Sequence, residues 1–105
     1  VFLGGAIYGI PVVMDGFISC VSALIAMQIC PAAGDYMIAS HVSREPAAHL
    51  ILEYMNKEAV LHADMCLGEG TGAVALFPLL DLAAAVYHSM STFDDIHVEQ
   101  YEELK

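Results

Sequence analysis

Residues 11–17, PVVMDGF, decide how the chain is to be read. Pro11-Val12-Val13-Met14 is a short, unbroken apolar run rich in β-branched side chains, too short for a helix. It has the look of a strand buried on both faces of a parallel sheet. Asp15-Gly16 stops it, and an apolar segment from about Phe17 to Ile29 follows, which Pro31 must close. The same pattern returns at Tyr36-Met37-Ile38-Ala39, followed by a loop at Ser40-His41-Val42-Ser43. Glu45-Pro46 then opens a helix to about Met55, with Pro46 tolerated in its first turn and Ser43 as its expected N-cap.

Working outward, residues 2–9 read as the tail of an apolar helix ending at Gly9. Ala59–Leu67 reads as a third, brief extended or mixed segment. The glycine loop Gly68-Glu69-Gly70-Thr71-Gly72 leads into a helix from about Thr71 to Met90, with a kink expected at Pro78. Ser91-Thr92 can cap a final acidic helix over about Phe93 to Leu104. Strand, loop and helix thus recur three times. The expected class is α/β: a parallel sheet with flanking helices, Rossmann-like, ending in terminal helices over about 71–105.

The composition adds a constraint. Of 105 residues, 58% are apolar, above the roughly 45–50% of ordinary globular chains. A domain of this size has too much surface to hide that much apolar side chain. The chain is therefore expected to be a piece of a larger protein, its C-terminal part, whose apolar faces pack on the remainder. The formal charge of −10, from 13 acidic and 3 basic residues, argues against nucleic acid and anionic membranes as partners. Gly16–Gly34 carries no charge, but Pro31 and Gly34 break it and Asp15 and Asp35 flank it, so no membrane span is expected there. Cys20, Cys30 and Cys66 form no CxxC, and reduced thiols in a cytoplasmic protein are expected.

In open α/β sheets, ligands bind beyond the carboxyl ends of the strands. The polar residues gather at those positions: Asp15 and Gly16 after the first strand, Ser40, His41 and Ser43 after the second, and Glu69 and Thr71 after the third segment. Each has a structural reading beside a functional one. Glu69 belongs either to a glycine-rich turn capped by Thr71 or to a site where it serves as a general base. Asp15 either caps the following helix or accepts hydrogen bonds from sugar hydroxyls. Ser43 either caps or helps hold an anion at the positive end of a helix. The five histidines (41, 49, 62, 88 and 97) show no metal spacing, the loop is no Walker motif, and no nucleophile elbow is present. No metal and no cofactor is expected.

Four stretches, in order, carry a resemblance: Pro11–Ile18, Tyr36–Pro46, Leu67-Gly68-Glu69-Gly70-Thr71-Gly72-Ala73 and Met90–Phe93. Together they resemble the C-terminal third of the nicotinate-nucleotide–dimethylbenzimidazole phosphoribosyltransferase family, over nearly all of the chain. The resemblance implies transfer of the phosphoribosyl group of nicotinate mononucleotide to 5,6-dimethylbenzimidazole, giving α-ribazole 5′-phosphate and nicotinate in cobalamin biosynthesis. It makes Glu69 the base, places Ser43 near the 5′-phosphate and Asp15 near the ribose, and gives substrate-binding parts to Gly16, Ser40, His41, Gly68, Gly70, Thr71 and Gly72. It makes the chain the C-terminal part of a single larger α/β catalytic domain; a homodimer is expected, and the 105 residues alone are expected to be inactive. Two positions depart from the family pattern. Met65-Cys66-Leu67 stands where members often have Met-Arg-Leu, which removes a cation three residues before Glu69, and Ala47 replaces a frequent Gly. A non-catalytic nucleotide-binding module is the alternative; it needs the same rim of polar groups but no base.

Overall fold

The computed structural model describes residues 1–65, 68–92 and 94–97. The elements run α1 (Phe2–Tyr8), β1 (Val12–Met14), α2 (Phe17–Ile29), a 3₁₀ turn (Pro31–Tyr36), β2 (Met37–Ala39), α3 (Pro46–Tyr54) and α4 (Thr71–Ser89). Helix α1 ends where expected, because Gly9 takes the left-handed conformation at φ 67° and turns its N–H back onto Ala6. Helix α2 has the expected bounds. Its N-cap, Gly16, has no side chain, and Ser19 caps the helix instead. The Ser19 Oγ accepts from the N–H groups of Asp15 (2.8 Å) and Gly16 (2.9 Å) and donates to the Gly16 carbonyl (2.7 Å). Pro31 does not simply stop the chain; it opens the 3₁₀ turn that delivers it to β2.

Strands β1 and β2 pair in parallel, with Val12 opposite Met37 and Met14 opposite Ala39. Parallel pairing in that register sends Asp15 and Ser40 off the same sheet edge side by side. The third segment is a correction to the sequence reading. Among the described residues it contributes one parallel bridge, Leu61 to His41, rather than a strand. Backbone bonds from Val60 to Ala39 (3.1 Å), Leu61 to Ser40 (2.8 Å) and Val42 to Leu61 (3.2 Å) hold it there. Beyond them His62, Ala63 and Asp64 are exposed, and Asp64 turns the chain away at φ 50°. With no buried face to pair, the segment leaves the sheet.

The core lies between the sheet, α2 and α3. Met14, Met37 and Ala39 meet Cys20, Ala23 and Ala26 of α2 and Leu52 and Met55 of α3, with Ala33 and Phe2 closing the sides. The buried stripe of α2 is made of small residues at three-residue spacing, which lets the helix approach its neighbours closely. Much apolar surface stays outside it: Ile18, Leu50, Val74, Phe77, Leu82 and Tyr87 are all exposed. Helix α4 buries only Gly72 and Leu76.

Among the described residues, α4 is the one helix long and apolar enough to cross a membrane by length and composition. The uncharged run noted in the sequence instead holds the 13-residue α2 and the 3₁₀ turn, too short to span a bilayer of about 30 Å. The expected terminal helix falls mostly outside the described residues. Residues 94–97 form a turn, and Thr92 before it is tied to Asp95: Thr92 Oγ1 accepts from the Asp95 N–H (3.2 Å) and the Asp95 carboxylate accepts from the Thr92 N–H (2.8 Å).

Candidate functional site

The rim beyond β1 and β2 is tied together by Asp15. Its Oδ2 accepts a hydrogen bond from the Gly70 N–H and its Oδ1 one from the Ala73 N–H, both at 3.0 Å and across 55 and 58 residues of chain. Asp15 therefore does not cap its own helix. It caps α4, whose N-cap position, Gly70, has no side chain to do so. The positive end of that helix meets a carboxylate, which is the favoured sign. Burial pushes the Cys20 thiol up, and the nearby Asp15 carboxylate adds to the effect.

Ser40 and His41 form the second part of the rim, and both are buried. The Ser40 hydroxyl donates to the Met14 carbonyl at 2.6 Å and lies 3.1 Å from His41 Nδ1. A hydroxyl has one proton to give. With that proton on Met14, the contact with His41 is satisfied when Nδ1 carries a hydrogen and donates to the Ser40 oxygen. The ring then lies over Gly72: a methyl group there would overlap the imidazole and come within 3.0 Å of Asp15 Oδ1. Glycine is needed because the ring occupies the space a side chain would take.

The third part is the glycine loop. Gly68, Glu69 and Gly70 all have positive φ, at 75°, 58° and 82°. The loop closes on itself through Thr71, whose N–H and Oγ1 both donate to the Gly68 carbonyl, at 3.1 and 2.7 Å. Thr71 thus completes the turn rather than reaching outward. Two of the three left-handed residues are glycines and incur little cost; Glu69 is not, and strain of this kind gathers at functional sites. Glu69 is exposed.

A cleft of about 790 Å³ lies in front of these groups, within the usual range for small-molecule sites of about 300–1,000 Å³. Asp15, Gly16, His41, Ser43, Gly68 and Glu69 all line it. Of the other residues singled out in the sequence, Ser40, Gly70, Thr71 and Gly72 stand behind the lining and hold it. Ser43 lines the cleft but is not the N-cap of α3. Glu45 holds that position, and Ser43 Oγ accepts only a long bond, 3.4 Å, from the Glu45 N–H. Sequence reasoning missed the apolar wall, Phe2, Val12, Phe17 and Ile18, and a further carboxylate, Glu45. Phe17 and Ile18 could have been found as the residues directly following the strand-end Asp15-Gly16. Phe2 carries no such signal, since only packing brings α1 to this edge.

A family model described as Phosphoribosyltransferase matches residues 1–98. The chain is 45% identical over 104 residues to the nicotinate-nucleotide–dimethylbenzimidazole phosphoribosyltransferase of Clostridium acetobutylicum, covering 99% of this chain and 30% of that protein. The protein of the same name from Ruminiclostridium cellulolyticum is 44% identical over the same length and coverage. Among solved structures, the enzyme of that name from Thermus thermophilus superposes with a TM-score of 0.84 at 41% identity, over 95% of this chain and 30% of the other. The chain spans about 30% of the length of these relatives.

Proposed function

Because the chain belongs to the nicotinate-nucleotide–dimethylbenzimidazole phosphoribosyltransferase family, we propose that it supplies the general base and part of the nucleotide pocket for that transfer. The reaction joins 5,6-dimethylbenzimidazole to the ribose of nicotinate mononucleotide and releases nicotinate, leaving α-ribazole 5′-phosphate for the lower ligand of cobalamin. The observation that carries this reading is the position of Glu69: a carboxylate on a left-handed turn that opens on the same cleft as Asp15, His41 and Ser43.

The chemistry asks little more of the protein. As a benzimidazole ring nitrogen attacks C1′ of the ribose, the bond from C1′ to the pyridinium nitrogen breaks on the opposite face. The pyridinium departs with that electron pair as a neutral ring and needs no acid. The incoming azole must lose its N–H proton, and Glu69 takes it. One placed base and an aligned pair of substrates are sufficient. Ser43, at the cleft edge, is suited to the 5′-phosphate, and Gly16 lets the ribose approach the backbone.

The remaining pocket walls belong to the part of the relatives that this chain does not span, so the 105 residues alone should not turn over. The exposed apolar face of α4 fits burial against that part or against a second subunit of a cytoplasmic homodimer, rather than against lipid. Glu69→Gln in the full-length protein tests the reading. Folding is expected to be kept and kcat to fall by roughly 10²–10⁴-fold; an unchanged kcat would remove Glu69 as the base.

A further inference from the structure

We infer that Asp15 is the positioning residue for Glu69: it acts on the reaction by holding the turn that carries the base, not by touching the ribose. The inference rests on the assignment of Glu69 as the base. The turn Gly68–Thr71 closes on itself through the two Thr71 bonds to the Gly68 carbonyl. Those bonds fix its internal shape but say nothing of where it sits. A turn of this kind, with glycines on both sides of Glu69, can swing as a unit about the start of α4.

Asp15 removes that freedom. One oxygen holds Gly70, inside the turn and next to Glu69, while the other holds Ala73, inside the helix. A single carboxylate therefore locks the turn to α4 and both to the end of β1. The bonds are charge-assisted and strongly directional. With both oxygens engaged by amides on the α4 side, the carboxylate has a structural partner for each oxygen before any substrate arrives. His41, lying over Gly72 in the same contact as Asp15 Oδ1, fills the space beside the carboxylate. A base must be held within a fraction of an ångström of its target to keep its rate, and here the tie that does so runs through Asp15.

Asparagine is nearly isosteric with aspartate but presents only one acceptor oxygen, so its amide nitrogen would face an N–H donor. In the full-length protein, Asp15→Asn is expected to lower kcat by about 10–100-fold and leave KM for nicotinate mononucleotide within about twofold of the parent. The deciding measurement is a double-mutant cycle. In a Glu69→Gln background there is no base left to position, so adding Asp15→Asn should change the residual kcat by less than about twofold. A rise in KM with kcat kept would put Asp15 on the ribose and overturn the inference. So would a double variant slower than Glu69→Gln by the full factor seen in the parent. If Glu69→Gln itself keeps the parent rate, it is the base assignment that fails, an outcome separate from a cycle in which two slow variants add. Thermal melting accompanies each variant. Should Asp15→Asn not fold, Asp15→Glu, with both oxygens kept but displaced by one methylene, carries the same cycle with the same two outcomes.

Discussion

The imidazole of His41 occupies the space where Gly72 would carry a side chain, so the end of β2 and the first turn of α4 interlock with no gap between them. Gly72 cannot gain a side chain without displacing His41, and Asp15 Oδ1 lies at the edge of the same contact.

Gly72→Ala is therefore expected to be destabilising although alanine is the better helix former. Overpacking a filled site costs about 1–3 kcal/mol, and here the obstacle is a buried ring fixed by Ser40 rather than the tip of a flexible chain. Chemical denaturation of the full-length protein reads the change. A gain in stability would mean that His41 can turn aside freely.

Glu69→Gly separates stability from activity. Glu69 sits at φ 58° between two left-handed glycines, a conformation that costs a side-chain-bearing residue roughly 1–2 kcal/mol. Glycine removes that cost but adds unfolded-state entropy of about 0.4–1 kcal/mol. The net expectation is a stability unchanged or raised by up to about 1.5 kcal/mol, together with the loss of turnover expected of Glu69→Gln. A clear loss of stability would reveal a contact of the carboxylate that outweighs the strain.

Cys20 and Cys30 should differ in reactivity. Cys20 is buried and its thiol is pushed up by that burial and by Asp15, whereas Cys30 is exposed. Iodoacetamide at mildly alkaline pH is expected to label Cys30 and spare Cys20 until the protein unfolds, as peptide mass mapping would show. The same shift sets a pH dependence. A thiol harder to ionise in the folded state than in the unfolded one favours folding fully only below the unfolded value, about 8.5. That contribution is lost as pH rises through the higher folded value. Stability should therefore decline on the alkaline side, and Cys20→Ala, although less stable throughout, should show a flatter decline. Equal slopes would assign the alkaline loss to other groups.

Thr92 and Asp95 provide the acid counterpart. Hydrogen bonds from Thr92 hold the exposed Asp95 carboxyl below the usual aspartate range. The turn they form should be complete above about pH 4 and lost as pH falls through the lowered Asp95 value. Thr92→Val, which removes the hydroxyl, should bring the Asp95 titration back toward the usual range when followed by NMR; no movement would mean that the hydroxyl bond has little weight.

Local chemistry determined much of this protein. Val12–Met14 is apolar and begins with two β-branched valines, Gly9 and Pro31 punctuate the chain, and Phe17–Ile29 lies between Gly16 and Pro31; these alone delimit α1, β1 and α2. The ordered motifs around Asp15, Ser43 and Glu69 were enough to indicate the family. What tertiary structure alone decided is how the motifs meet: that Asp15 turns away from its own helix to the N-cap of another, 55 residues on, that Ser19 caps α2 in its place, that Gly72 lies under His41, and that the third segment pairs at Leu61 and then leaves the sheet. The physical reason is range. Propensity and capping act within a turn or two of chain, whereas the partner of a carboxylate at a strand end depends on which N–H groups the packing of distant elements brings within about 3 Å, and no local pattern carries that information.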